Sequence, residues 1–366
     1  MGKSNDTVTK FLITGDIHFR STNPIARKDN YMDAVTMKIA EIIHLAEEHN
    51  VNAILVPGDL FDSPSVSIPT IIRLGNALRS APCPVLTIPG NHDEFGHSLE
   101  SIARTPYGIL KAFDYIRCVH DSSYIFGGSS DGRGGVFDGL VTGQGFDNET
   151  DYDLMQYAVP EEHAANYEAI CNTLPNVTGQ HVPFYIHMAH GMLMEKAPGF
   201  EGMRHTLVSQ LAEIPEERQP HVLVCGHYHT GLAIQRVPGS RTLVVNPGAL
   251  GRLTAHVDEI ERPVQVALLT VSGVGGVQYS AEFIPLRVAE PGHAVLSREH
   301  LEAQQERSLQ LDRFLALLAS EGESKFLEVR DIVEDIAARD NVPVNVKDEA
   351  LKRISVAREK LGSGVA

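Results

Sequence analysis

Five short apolar runs each end in residues that can bind a metal ion or move a proton. Residues 11–14 lead into Gly15-Asp16-Ile17-His18, and residues 53–56 into Pro57-Gly58-Asp59. Residues 84–88 lead to Gly90-Asn91-His92-Asp93, residues 184–189 to His190-Gly191, and residues 221–225 to Gly226-His227-Tyr228-His229. Asp16 and His18 are two apart, so in extended chain their side chains leave the same face and could grip one ion together. His227 and His229 repeat that spacing with two imidazoles. Five histidines, two aspartates and an asparagine make a donor set that suits Mn²⁺, Fe²⁺ or Zn²⁺ better than Ca²⁺. No thiolate belongs to it, which disfavours a structural zinc site. One carboxylate shared by two ions roughly 3.5–4 Å apart is the arrangement suited to in-line attack on phosphorus.

The elements that must position these residues follow from the same runs. They are short, rich in β-branched residues and without alternation, which predicts strands buried on both faces of a sheet. Apolar residues at helical spacing over 33–49 and 68–79 predict helices between the first three strands, hence an α/β domain with right-handed crossovers. Open α/β sheets bind ligands at the carboxyl ends of their strands, where all five motifs fall. Residues 123–126 and 136–142 read as two strands joined by a glycine-rich connection, 127–135. That connection has no Lys-Ser/Thr pair of a nucleotide P-loop. Residues 147–182 read as an irregular polar insertion. Residues 242–246, 263–271 and 277–284 predict antiparallel strands of a second sheet. Beyond Pro291-Gly292 the composition changes to helix formers, with amphipathic stretches at 299–319, 325–338 and 347–361 and Asn345 as a candidate cap for the last.

Composition limits the range of functions. With 366 residues, 43% hydrophobic and 21% charged, the chain can bury a large core. No run approaches the roughly 18 apolar residues of a membrane span. Met1 to Asp6 lack the apolar core of a secretory signal, and Asp6 stands where a myristoylation signal wants Ser or Thr. Cys83, Cys118, Cys171 and Cys225 show no paired spacing, so reduced thiols and a cytoplasmic location are expected. A net charge of -16 argues against a protein that coats nucleic acid by charge alone.

The ordered set Asp16-x-His18, Gly58-Asp59, Gly90-Asn91-His92-Asp93, His190 and Gly226-His227-x-His229 resembles the motifs of the calcineurin-like metallophosphoesterases across residues 11–250. The resemblance implies a four-layer α/β fold, two central β-sheets flanked by helices, with a C-terminal helical appendage. The corresponding division is a catalytic domain over 1–288, a linker at 289–297 and a helical region over 298–366. It implies that Asp16, His18 and His229 hold one metal ion, that Asn91, His190 and His227 hold the other, and that Asp59 bridges them. His92 would face the scissile phosphate, orienting it or protonating the leaving oxygen. The cofactors would be two divalent ions, Mn first, with Fe, Zn or Mg as alternatives, and the nucleophile a water they acidify. The remaining histidines, His187 among them, are expected to be surface or core residues, and Asp62 and Asp93 turn or supporting acids.

Within that superfamily the chain looks most like the SbcD/Mre11 double-strand-break nucleases. Asp16-Ile17-His18 and Gly58-Asp59-Leu60-Phe61-Asp62-Ser63 carry that likeness, with Asp62 pointing to the bacterial or phage branch. The resemblance implies a DNA substrate and an SbcC/Rad50-like ATPase partner held by the C-terminal helices. It allows a homodimer and involves no membrane. A partner that supplies much of the DNA-binding surface would reconcile the acidic balance with this reading. Arg20, Arg27, Lys28, Arg133 and Arg252 are candidates to flank a DNA groove. A cyclic-nucleotide phosphodiesterase or a protein phosphatase of the same superfamily is the alternative, and a non-catalytic metal-binding scaffold is disfavoured by the presence of His92.

Overall fold

The structure, a computed structural model, describes residues 8–120, 122–127, 138–162, 184–199, 202–272, 277–299, 306–310 and 323–362. Cys171, His163, His181, Arg133, most of the glycine-rich connection and the later part of the polar insertion lie outside these residues. The chain divides into two compact units, Met1–Ser297 and Arg298–Ala366.

The first unit is built on two six-stranded sheets. Its strands are β1 Val8–Ile13, β2 Ala53–Val56, β3 Val85–Thr87, β4 Arg117–Cys118, β5 Tyr124–Gly127, β6 Asp138–Gln144, β7 Phe184–Gly191, β8 Leu193–Met194, β9 Thr206–Leu207, β10 Val222–His227, β11 Leu232–Arg236, β12 Leu243–Asn246, β13 Gln265–Ser272 and β14 Gln278–Pro285. The first sheet has the order β14-β13-β1-β2-β3-β4, the second β11-β12-β10-β7-β6-β5, and β8 and β9 form a small separate pair.

Alternate residues of each strand enter different cores, which explains why these runs show no polar alternation. Leu12, Ile54 and Val56 pack under the helices, whereas Phe11, Ile13 and Leu55 face the second sheet. There they meet Val141, Ile186, Val224 and Val245. Between β1 and β2 runs α1, Tyr31–Glu48, and between β2 and β3 runs α2, Ile68–Arg79. Helix α1 starts two residues before its expected position because the Asn30 side chain accepts the Asp33 N–H at 3.1 Å and caps it. Its buried stripe, Val35, Ile39, Ile42, Leu45 and Ala46, covers the outer face of the first sheet. The second sheet is backed by short 3₁₀ turns whose Val208, Leu211 and Ile214 pack on Leu223 and Cys225.

The expected place of the late strands is overturned. Strands β13 and β14 do not belong to the second sheet; they form an antiparallel hairpin that pairs with β1 and extends the first sheet. The alternating exposure of β14 marks it as an edge strand with one wet face. Strand β12 does join the second sheet, but it runs parallel to β10 and is antiparallel only to β11. Residues 292–295 form a helical turn, and Ser297 donates its N–H to the carbonyl of Ala26 in the first unit.

The second unit contains the helices Glu323–Arg339 and Val344–Gly362. Residues 306–310 are helical too, and Arg339 reaches Glu306 at 3.2 Å and Gln310 at 3.3 Å. Asn345 lies inside the last helix instead of capping it, because Pro343 sets the start: its carbonyl accepts from Val346 and Lys347. Among the described residues no helix is long and apolar enough to cross a membrane.

Candidate metal centre

Strands β1, β2 and β3 run parallel, as do β6, β7 and β10, so each sheet presents the ends of its strands together. The loops after β1 and β2 are locked to each other, since Ile17 and His18 both donate backbone N–H to the carbonyl of Asp59 at 3.0 and 2.9 Å. Three of the chemistry-bearing residues, His18, Asp59 and His227, hold φ of 48°, 50° and 74°. Non-glycine residues rarely adopt that left-handed region, and strain of this kind concentrates at functional sites. Two glycines allow the close approach. A Cβ on Gly58, itself at φ 103°, would lie 2.3 Å from His190 Nδ1, and one on Gly90 would lie 2.2 Å from Asp59 Oδ1.

Seven of the eight residues singled out by their spacing meet in two adjoining clusters. Asp16, His18, Asp59 and His229 bring one donor atom each to within 4.8 Å of one another, and so do Asp59, His190 and His227. In the first cluster His18 Nε2 lies 2.9 Å from His229 Nε2 and 3.5 Å from Asp59 Oδ2, and His229 Nε2 is 3.3 Å from Asp16 Oδ2. In the second, His190 Nε2 lies 3.3 Å from Asp59 Oδ2 and 3.1 Å from Asn91 Oδ1. Asp59 is common to both. His92, the eighth, donates its backbone N–H to Asp59 Oδ1 at 2.8 Å, and its ring sits edge-on to that of His18 with centroids 4.7 Å apart.

The polar atoms of the site match a pair of cations. Asp59 Oδ2 is fully buried, lies between the two clusters and has no hydrogen-bond partner. A buried carboxylate oxygen without a donor is costly unless a positive charge faces it. His190 gives its Nδ1–H to the Pro57 carbonyl at 2.6 Å, which turns the Nε2 lone pair toward Asn91 and Asp59. Burial lowers the pKa of His190, but the Asp59 carboxylate beside it more than offsets this and raises it to about 10. Burial likewise pushes Asp59 up, while the imidazoles of His190 and His18 hold it well below the usual carboxylate range. Both shifts express the same demand for positive charge between these side chains. The residues are arranged for a binuclear metal site.

Supporting contacts hold the donors in place. Asp62 accepts the His92 Nδ1–H on its backbone carbonyl at 2.8 Å, and its carboxylate lies 3.5 Å from His18 Nδ1 and 2.7 Å from Arg20. Asp62 thus bonds His92 and Arg20 and stands close to His18 without bonding it, His18 Nδ1 being buried without a hydrogen-bond partner. Asp93 clamps two motif loops together by accepting N–H from Leu60, Phe61 and Gly90. Tyr31 donates its hydroxyl to the His18 carbonyl at 3.1 Å. His187 is no donor to the site: fully buried, it is held between Thr142 Oγ1 and the Gln156 carbonyl, each at 2.8 Å. Two of the candidate groove-flanking cations are excluded. Arg27 is buried in a bidentate pair with Asp29, and Arg252 is buried with its donors on the carbonyls of Glu259, Glu290 and Arg262.

Sequence reasoning missed Phe146. Its ring lies against His227 and His190, with centroids 5.6 and 6.1 Å away, and touches His97 at 5.2 Å on another side. A lone aromatic in a polar, aperiodic stretch carries no signal that would have marked it.

Solved structures that resemble this chain do so distantly. The calcineurin-like phosphoesterase YfkN of Bacillus subtilis is 12% identical over 84% of this chain and 99% of its own, with a TM-score of 0.43. A dimetal phosphatase of Danio rerio is 11% identical over 76% and 98%, with a TM-score of 0.41. A putative 5'-nucleotidase of Staphylococcus aureus is 14% identical over 82% and 58%, with a TM-score of 0.42. No curated protein matches the sequence. The family model for calcineurin-like phosphoesterases matches residues 9–231, more than half of the chain and all of the metal-centre residues, so the chain belongs to that family.

Proposed function

We propose that this protein is a two-metal phosphodiesterase that processes DNA ends, working with a coiled-coil ATPase of the SbcC/Rad50 kind in the cytoplasm. The metal-dependent phosphoesterase activity follows from family and site. One observation carries the two-metal part: Asp59 Oδ2, buried and without a donor, lies between two clusters that share it.

In this reading Asp16, His18 and His229 would hold one cation, Asn91, His190 and His227 would hold the other, and Asp59 would serve both. Mn²⁺ is the first candidate for this donor set. Two such ions would neutralise charge on the phosphate and acidify the water that attacks phosphorus. The chain's own residues supply the rest. With Nδ1–H engaged by the Asp62 carbonyl, His92 presents Nε2 to the substrate side. As an imidazolium, protonated on both nitrogens, it would give the Nε2 proton to the ester oxygen as the P–O bond breaks and be left as the neutral Nδ1–H ring. The Asp59 Oδ1 contact to the His92 backbone ties this acid to the bridging carboxylate, so donor and metal ligands stay in register.

Support for DNA as substrate comes from the Asp16-Ile17-His18 and Gly58-Asp59-Leu60-Phe61-Asp62 stretches and from the separate helical unit, which offers a place for a partner. The test is hydrolysis of end-labelled duplex DNA with Mn²⁺, with and without such an ATPase, beside cyclic nucleotides. Cleavage of the duplex, abolished by chelation, is expected. Full activity after EDTA treatment and dialysis would refute the two-metal reading. Inertness on DNA with brisk cleavage of cyclic nucleotides would move the assignment to a small-substrate enzyme.

A further inference from the structure

Beside the metal centre, on the His18 and His92 side, stands a cation whose surroundings differ from those of its buried neighbours. Arg20 Nη1 is 2.7 Å from Asp62 Oδ2, and its Nε and Nη2 both bond Thr22 Oγ1, at 3.2 and 2.8 Å. A guanidinium has five N–H groups. These contacts leave one N–H on each terminal nitrogen to donate to a further acceptor. The side chain is 28% exposed, whereas that of Arg27 is 1% exposed. Arg252 and Arg262 are also buried, with donors on backbone carbonyls and Glu259, and Lys38 bonds the Leu250 carbonyl. Arg20 is therefore set for an external anion and already ordered, so binding would cost little side-chain entropy.

The place of this cation defines its ligand. Asp62, which holds Arg20 by its carboxylate, holds His92 by its carbonyl and faces His18 by its other carboxylate oxygen. Arg20 thus lies one residue outward from the proton donor. Asp16, Asp59 and Asp93 are buried at the same centre and the chain carries a net charge of -16, so a polyanion gains from any exposed cation it can reach. In the reading above the scissile phosphate is served by the metal ligands and His92, which leaves Arg20 for a second anion.

We propose that Arg20 forms an anion subsite for the phosphate next to the scissile one in a polynucleotide strand, and so selects chain substrates over isolated diesters. This rests on the DNA reading above and adds to it the residue that senses the strand. The test compares Arg20→Gln, Arg20→Lys and the unaltered protein. Each is assayed with Mn²⁺ on end-labelled duplex and on bis(p-nitrophenyl) phosphate, over a salt series, with bound metal measured. In Arg20→Gln, kcat/KM for the duplex falls about 10- to 100-fold more than for the small diester, as loss of one charged contact predicts. The loss lies in KM, the slope of log(kcat/KM) against log[salt] for the duplex shrinks by about 0.9, and Arg20→Lys restores part of it. Equal losses on both substrates would overturn the proposal, because Arg20 would then serve the scissile phosphate or act through Asp62, the latter marked by lost metal. An unaltered protein that cleaves the small diester but not the duplex, with the ATPase as well as without it, would instead sink the DNA reading, and the subsite with it.

Discussion

Asp59 and His92 are joined by one hydrogen bond yet do different chemistry, and substitution separates them. Asp59 touches both clusters, so Asp59→Asn removes the charge they share and is expected to bind less than two metal equivalents. In the proposed mechanism His92 is the acid and not a ligand, although its ring groups with His18 and Asp62, so His92→Asn is expected to keep both equivalents and lose turnover by about 10²–10⁴-fold, the span of general acid–base help. Metal analysis beside steady-state rates on bis(p-nitrophenyl) phosphate decides it, and a His92→Asn protein short of metal would place that imidazole among the ligands. The donors are legible in the sequence because the chemistry restricts their types: Asp, Asn and His after apolar runs, at two-residue spacing in Asp16-x-His18 and His227-x-His229. What orients them is not. Pro57 holds His190, and Asp62 holds His92, through carbonyl oxygens, and every residue has one of those. The Asp62 carboxylate faces His18 across 44 positions of sequence for reasons only the folded loops supply.

Strands β7 and β10 bring His190 and His227 side by side, pairing Gly226 with His190 and His227 with Gly191, and two of their supports can be tested. At the far end of this pair His221 accepts the Tyr185 N–H at 3.1 Å and stacks on Phe184. Burial, helped by the Arg241 charge, lowers its pKa to about 3 from an ordinary 6.5. Between those values the unfolded chain binds the proton and the folded one does not, so this contribution to stability is complete above about pH 6.5 and is lost as pH falls toward 3. His221→Gln should therefore be less stable than the unaltered protein at pH 7.5, with the gap narrowing between pH 6.5 and 4.5 in denaturant titrations. A gap independent of pH would show that His221 titrates normally. At the near end, after β6, Phe146 packs against both imidazoles. Phe146→Ala is expected to weaken the second metal equivalent by about 10- to 100-fold, the usual cost of losing an outer support, and to leave the first unchanged in calorimetric titration. Helices and buried strands are legible at this scale because their apolar periods are local. The sheet that β13 and β14 join is not, because pairing with β1 is decided by which edge is open, a property of the assembled sheet.

Every residue of the metal centre, from Asp16 to His229, belongs to the unit Met1–Ser297, which has its own cores on both sides of the first sheet and behind the second. Compactness and a separate core are what let a domain fold alone. Among the described residues, no side chain of the helical unit belongs to either donor cluster. A chain ending at Ser297 is therefore expected to fold cooperatively and bind two metal equivalents. It should hydrolyse bis(p-nitrophenyl) phosphate with kcat/KM within about twofold of the full protein, since both donor clusters lie inside the retained unit. Under the proposed DNA reading, duplex should separate the two proteins only when the ATPase is present, the proposed partner supplying the DNA surface that a net charge of -16 does not favour. The measurement is the ATPase-stimulated rate for each protein at one salt concentration. Stimulation of the shortened chain equal to that of the full one would show that the partner is held by Met1–Ser297. Loss of the small-diester activity itself would show that residues beyond 297 complete the catalytic site, against the assignment of all its chemistry to the two-sheet unit.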